Sequence, residues 1–353
     1  MSQDITIDQV RSIASELCSF PVKEISFAGS GRNSRIYKIE TPTENYALKF
    51  FRKNPNNVNE RLASEVAASR FFKKYGFSNT AYISQYSDEH NCALFDWIEG
   101  TKVETITRTE IQSALDFIKK LLQVDFVPEM KTASFAVEAC ISGIEVVNQI
   151  NKRLTNLERS ASTLPEFAAF LNNTFKPLFN DIITASKKAY ELSSHDFNKQ
   201  LEDEFLILSP VDFGFHNALV KNQELVFLDF EYFGLDDSTH LIGDVVLHPG
   251  MNIAEDDKKY FAEISLELLS RKDPFNRARY HALMPLYALR WACIILNPFL
   301  DTYQIIGSNI NSAEDLANLR KTQFAKAELY IKKAATLLEE LKSFNQLKLD
   351  NKL

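Results

Sequence analysis

Leu208–Glu231 reads LSPVDFGFHNALVKNQELVFLDFE, and the way this stretch is parsed decides the fold. Ala218-Leu219-Val220 and Leu225-Val226-Phe227-Leu228 are short apolar runs of strand character. Lys221-Asn222-Gln223-Glu224 is a polar turn between them, so the stretch reads as a β-hairpin. Folding it brings the loop before the first strand, with Asp212 and Asn217, up to the end of the second, with Asp229. Two carboxylates and an amide converging at a hairpin base suit Mg²⁺, a hard ion that takes oxygen ligands and substrate phosphates.

Working outward toward the N-terminus, residues 6–18 carry Val10, Ile13, Ala14 and Leu17 at helical spacing. Ile25-Ser26-Phe27 and Ile36-Tyr37-Lys38-Ile39 then flank Ala28-Gly29-Ser30-Gly31-Arg32-Asn33-Ser34. Strand, Gly-rich turn and strand is the layout of a loop whose backbone amides can close on phosphates, or equally of a plain hairpin turn. Tyr46–Phe51 reads as a strand with Lys49 in apolar company, and a lysine so placed points to solvent or has an anionic partner. The following helix, residues 58–75, puts Leu62, Glu65, Val66, Ser69 and Phe72 on one stripe. Helical phase favours Glu65 as that partner, with Glu60 the competitor. Tyr82–Tyr86 and Cys92–Trp97 read as two more strands, after which the pattern turns helical.

The order of these features resembles the protein-kinase-like superfamily, most closely its aminoglycoside phosphotransferase and choline kinase branch. The resemblance rests on Asp212-x4-Asn217, the hairpin and Leu228-Asp229-Phe230-Glu231, preceded by the glycine turn, the strand lysine and the helix glutamate. It covers about Ile25 to Asp244. It implies an α+β, protein-kinase-like two-lobe fold, with a small β-rich N-lobe over residues 1–98 and a larger, mainly helical C-lobe over 99–353. It further implies ATP and Mg²⁺ as cofactors and a small-molecule alcohol as acceptor. Under it Asp212 is the catalytic aspartate, and Asn217 and Asp229 are the metal ligands. Gly29, Ser30, Gly31, Asn33 and Ser34 form the phosphate loop, and Lys49, held by Glu65, contacts the α/β-phosphates. The backbone around Asp96 and Ile98 meets the adenine edge.

Asp212-Phe213-Gly214 also spells a DFG motif, which would make Asp212 the metal ligand. That reading needs an upstream catalytic loop, and His195-Asp196 has Leu201 where the asparagine should stand; it would also leave Asn217 and Asp229 without roles. A departure from the family is Pro210, two residues before the catalytic aspartate, where a histidine is usual. It motivates the alternative of a non-catalytic, kinase-like nucleotide-binding protein.

Composition bounds the rest. The length of 353 residues allows two lobes, and 45% apolar with 25% charged residues is ordinary globular usage. A net charge of −7 argues against nucleic acid as partner. Cys18, Cys92, Cys140 and Cys293 are scattered without CxxC spacing, as expected of buried thiols in a reducing compartment. With neither a signal-peptide pattern nor an apolar run long enough for a bilayer, no membrane partner is expected and the expected location is cytoplasmic. Helices are expected from Thr107, whose Thr-x-x-Glu110 fits a capping box, and near 135–157, 164–192, 256–271, 278–296 and 312–343, with a fraying tail. His216 and His248 read as core histidines and Asp244 as structural. For the acceptor, Tyr232, Tyr287 and Trp291 offer a cation–π surface or simply core. Asp236 and Asp237 meet ammonium groups or cap a turn, and Arg290 binds an anion or snorkels.

Overall fold

The computed structural model describes residues 5–30, 34–53, 60–124, 133–301, 303 and 312–350. Packing divides the chain into two compact units. The first takes Met1–Ile106 together with Pro210–Gly234; the second takes Thr107–Ser209, Leu235–Gln304 and Asn309–Leu353. Packing thus groups the central hairpin with the N-terminal residues, a division that chain order alone does not suggest.

In the first unit α1 (Ile7–Leu17) starts from a capping box made by Thr6 and Gln9, and buries Val10, Ile13 and Ala14. A five-stranded antiparallel sheet follows, built from β1 (Glu24–Ser30), β2 (Ser34–Glu40), β3 (Asn45–Phe51), β4 (Ile83–Ser87) and β5 (Cys92–Asp96) in the order β1-β2-β3-β5-β4. The period of two in a strand sorts its residues between two cores. Tyr37, Ile39, Tyr46, Leu48, Cys92 and Leu94 pack on the α1 face. Phe51, Ala93 and Phe95 pack on the other, against Leu62 and Val66 of α2 (Glu60–Lys74). Lys49 alternates with Leu48 and so faces α2. The β1–β2 register shifts between Phe27 and Gly29, a bulge at Ala28.

The hairpin forms as expected. β8 (Ala218–Lys221) and β9 (Glu224–Phe227) pair antiparallel, and β6 (Thr101–Lys102) adds to β8. Its turn is tighter than the four residues of the sequence reading: Lys221 pairs with Glu224, leaving Asn222 and Gln223 at φ 51° and 67°. Two central residues with positive φ match the right-handed strand twist.

The second unit is mainly helical, and β7 (Ile207–Ser209) with β10 (Gly234–Asp236) makes a two-stranded sheet. Its helices are α3 (Arg108–Gln123), α4 (Gly143–Ala161), α5 (Pro165–Phe170), α6 (Lys176–Leu192), α7 (Ser238–Leu247), α8 (Glu255–Ser270), α9 (Asn276–Ile295) and α10 (Ala313–Leu349). A π-helical turn, Leu171–Phe175, joins α5 to α6. α9 is buried nearly all round and packs against α4, α6, α7, α8 and α10. Thr107 and Glu110 form the expected capping box on α3. Three expectations fail. The helix expected from 135 begins only at Gly143, because Glu138 has φ 61° and Ser142 caps α4. Residues 238–247, read only as an apolar segment from Asp244, form α7, buried on every side and therefore without a polar face to reveal its period. The last helix runs on to Leu349 instead of fraying after Lys342. Among the described residues no helix is long and apolar enough to cross a membrane.

Candidate functional site

Lys49 is the centre of the first unit's charge. It is 5% exposed, and its Nζ lies 2.6 Å from Asp229 Oδ1, 2.8 Å from Glu65 Oε2 and 3.5 Å from Glu231 Oε2. Glu65 also accepts the Phe230 amide at 3.0 Å through its other oxygen, so one carboxylate ties β3, α2 and the segment after β9 together. The Phe230 ring packs 4.6 Å from that of Phe72, and Phe233 packs on Phe71 and Phe72, which fastens that segment to α2. Glu60, the competing partner, begins α2, whereas Glu65 is buried one turn further in.

Burial works against the Lys49 ammonium, but Asp229, Glu65 and Glu231 outweigh it and hold its pKa above the ordinary range. Burial pushes Glu65 up to about 7; Lys49 opposes that rise and Asp229 adds to it. Glu231 is raised by burial too, with Lys49 and Arg61 pulling it back.

Arg61 and Glu231 are members of this cluster that the sequence reading did not select. Arg61 Nη1 donates to Glu231 Oε1 and, at 2.8 Å, to the Tyr232 hydroxyl, and the guanidinium lies over the Tyr232 ring at 4.8 Å. The signal was present in the spacing: Arg61 stands one helical turn before Glu65, on the same face.

Asp212 and Asn217 sit at the head of the hairpin. The Asn217 side-chain nitrogen donates to the Asp212 carbonyl at 3.1 Å, which turns the amide oxygen elsewhere. The Leu228 amide donates to the Asn217 carbonyl at 2.8 Å, so the residue next to Asp229 is bonded to Asn217. Val211, Asp212 and Asp229 have φ of 30°, 58° and 66°, left-handed values that are strained for residues with a side chain and that cluster at functional sites. His216 is exposed as a residue but its side chain is only 18% so, with Nε2 3.3 Å from Asp212 Oδ1. The oxygens of Asp229 and Asn217 are the donor set a hard cation takes, and the residues present fit Mg²⁺.

Of the remaining sequence candidates, Gly29 lies in β1, where a Cβ would meet none of the described residues within 4 Å, and Ser30 ends β1 as Ser34 begins β2. Gly31 and Asn33 lie outside the described residues. Asp96 ends β5, and burial raises its carboxyl. Ile98 follows two residues later, after Trp97, whose amide donates to the Asn45 carbonyl. In the second unit Asp236 and Asp237 are 0% and 1% exposed. Asp237 caps α7 and grips Arg279 through both oxygens, so the turn-capping reading describes it. Arg290 neither snorkels nor faces outward; it is buried against Gln149, His240 and Glu138. Asp244 lies 3.4 Å from His240 Nε2 within the same network. The Tyr287 hydroxyl lies 3.1 Å from that of Thr239 inside the core, and Tyr232 is already covered by Arg61. His248 ends α7 with its ring edge-on to Trp291.

No protein-family model matches the sequence, and no curated protein matches it. Solved structures do. A spectinomycin phosphotransferase in complex with ADP and spectinomycin matches over 95% of this chain and 99% of its own, at 12% identity and a TM-score of 0.58. A choline kinase from Cryptosporidium parvum matches over 98% and 100%, also at 12% identity and 0.58. A choline/ethanolamine kinase family protein from Mesorhizobium loti matches over 95% and 99%, at 17% identity and 0.52. The chain has the protein-kinase-like fold of the aminoglycoside phosphotransferases and choline kinases: a small antiparallel-sheet unit and a larger helical one.

Proposed function

We propose that the chain is an ATP-dependent phosphotransferase acting on a hydroxyl of a small molecule, and that it works in the cytoplasm. The observation that carries this reading is the Lys49 cluster: a buried lysine shared by a helix glutamate and by the aspartate that closes the hairpin headed by Asp212 and Asn217. Phosphoryl transfer asks mainly for positioning and charge neutralisation. Lys49 supplies a fixed positive charge for the α/β-phosphates, and Glu65 holds it. Asn217 and Asp229 hold Mg²⁺, which neutralises charge on the phosphates when bound. Asp212 orients the acceptor hydroxyl and accepts its proton. Gly29, Ser30 and Ser34, with Gly31 and Asn33, close on the phosphates, and the backbone at Asp96 and Ile98 meets the adenine. In this reading residues 1–98 bind nucleotide, and residues 99–353 supply the catalytic loop, the metal site and the acceptor pocket. Similar folds hold ADP with spectinomycin, and ATP with streptomycin, which supports both the nucleotide and the polyhydroxylated acceptor class. The engagement of Asp236, Asp237 and Tyr232 within the protein removes three of the groups that had favoured a cationic acceptor.

The test is calorimetric titration of ATP with and without Mg²⁺, beside an ATP-consumption assay over amino alcohols, sugars and cyclitols. Asp229→Ala should abolish the gain in affinity that Mg²⁺ brings while the melting transition persists. An undiminished Mg²⁺ effect in that variant would show that Asp229 holds no metal, and a wild-type chain that binds Mg-ATP without consuming it against any alcohol would be a binding protein instead.

A further inference from the structure

Three carboxylates surround Lys49, yet they are held differently. Glu65 is fixed at both oxygens, by Lys49 and by the Phe230 amide. Asp229 is about a third exposed and on a strained backbone, so it can turn outward at little cost in desolvation. Glu231 is 2% exposed and anchored at Oε1 by Arg61, but its Oε2 is buried with no hydrogen bond among the described residues, 3.5 Å from Lys49 Nζ. A buried carboxylate oxygen without a donor is costly, and among the described residues Lys49 is the cation that faces this oxygen, Arg61 being bonded to the other one. Arg61 is itself restrained, bonded to the Tyr232 hydroxyl and stacked on its ring.

We propose that Glu231 is a positioning residue for Lys49: the alternate partner to which the ammonium turns when Asp229 is drawn away, with Arg61 and Tyr232 holding Glu231 in reach. The arrangement keeps Lys49 gripped at two points, Glu65 and one of the other two carboxylates, whichever way Asp229 faces. The role as a handover during nucleotide binding rests on the phosphotransferase reading; the handover itself is a property of the chain's own side chains and can be tested without ligand.

The ligand-free test is a double-mutant cycle in urea unfolding, with Asp229→Asn and Glu231→Gln. In the Asp229→Asn background Lys49 depends on Glu231, so Glu231→Gln should lower the unfolding midpoint further than it does in the wild type. The disturbance of Arg61 is common to both arms and cancels. Additive losses overturn the proposal. Should Glu231→Gln fail to fold, Arg61→Ala takes its place in the cycle, since it frees the anchor while leaving the carboxylate. The second measurement is calorimetry. Glu231→Gln should weaken Mg-ATP by roughly tenfold or more, as loss of a charged hydrogen bond does, and weaken metal-free ATP much less. Equal weakening with and without Mg²⁺ marks a merely structural role and overturns the handover. If the wild type binds no Mg-ATP at all, the phosphotransferase reading falls, and the unfolding cycle still decides Glu231.

Discussion

Asp212 and Asp229 belong to the same short stretch of chain as Asp236 and Asp237, and the two pairs are built for opposite ends. The first pair lies on backbone with φ of 58° and 66°, with side chains about a third exposed. The second pair lies at or just beyond the end of β10, fully buried, and the protein uses its carboxylates throughout. Asp236 accepts the Cys140 and Asp237 amides and meets His240 Nδ1 at 2.6 Å, while Asp237 accepts the Thr239 amide and the Nε and Nη2 of Arg279. Arg279 is in turn bonded to Asp273. Residue type and chain position do not separate these roles. What separates them is how far folding leaves the carboxylate exposed, and whether its backbone is held in a left-handed conformation.

The sharpest way to break the comparison is Asp212→Asn. The amide keeps the shape and a hydrogen-bonding oxygen but cannot take the acceptor's proton. Turnover should fall by roughly two to four decades, with nucleotide affinity and the unfolding midpoint nearly unchanged. Steady-state assays beside calorimetry check this. Loss of Mg²⁺-dependent ATP binding instead would make Asp212 the metal ligand, as the Asp212-Phe213-Gly214 spelling suggests.

Asp237→Ala should do the reverse. It removes two of the hydrogen bonds of Arg279, which is 2% exposed and keeps Asp273 as its carboxylate partner, and it uncaps α7, so stability should drop by roughly 2–4 kcal/mol, read as a shift in the urea midpoint. The surviving folded fraction should bind ATP as the wild type does. A variant that keeps its midpoint but changes acceptor preference would move Asp237 into the binding machinery and erase the distinction.

How much of this was legible beforehand follows from the same contrast. Hairpin, strand lysine and helix glutamate are local patterns of alternation and helical phase, and these are set by neighbours in sequence. The choice of Glu65 over Glu60 needed only the 3.6-residue period. Arg61 looks like an ordinary surface charge, and Glu231 stood only as the end of the hairpin motif; their partnership appears when the segment after β9 meets α2, a contact between residues some 170 apart. α7 escaped because total burial erases amphipathic period, although Asp237 stood at its start as a capping residue. The left-handed conformation at Val211 has no signature in residue type, and Asp212 and Asp229, of a type that tolerates it, are not told apart by type from the chain's other aspartates. The strain that marks the site is imposed by tertiary packing, and only the structure displays it.

The smallest effect is one of pH, and it distinguishes a carboxylate raised by burial in the first unit from one lowered by arginines in the second. Glu65 is raised from 4.5 to about 7, burial outweighing Lys49. Between these values the folded chain keeps a proton that the unfolded chain has released. Stability from this group is therefore greatest at low pH and declines as pH rises from about 4.5 to about 7. Glu138 goes the other way. Burial would raise it, but Arg153 and Arg290 together hold it below 4.5, so its contribution is full above that value and is lost only as pH falls through its folded pKa. Urea midpoints measured from pH 4 to 8 should show wild type gaining on Glu65→Gln as pH drops from 7, while the gap between wild type and Glu138→Gln stays level until below 4.5. A level gap for Glu65→Gln across the whole range would mean that Lys49 wins over burial and Glu65 stays ionised. The first unit's cluster would then be as fully compensated as the aspartates that follow β10, and exposure alone, without perturbed ionisation, would have to distinguish the two.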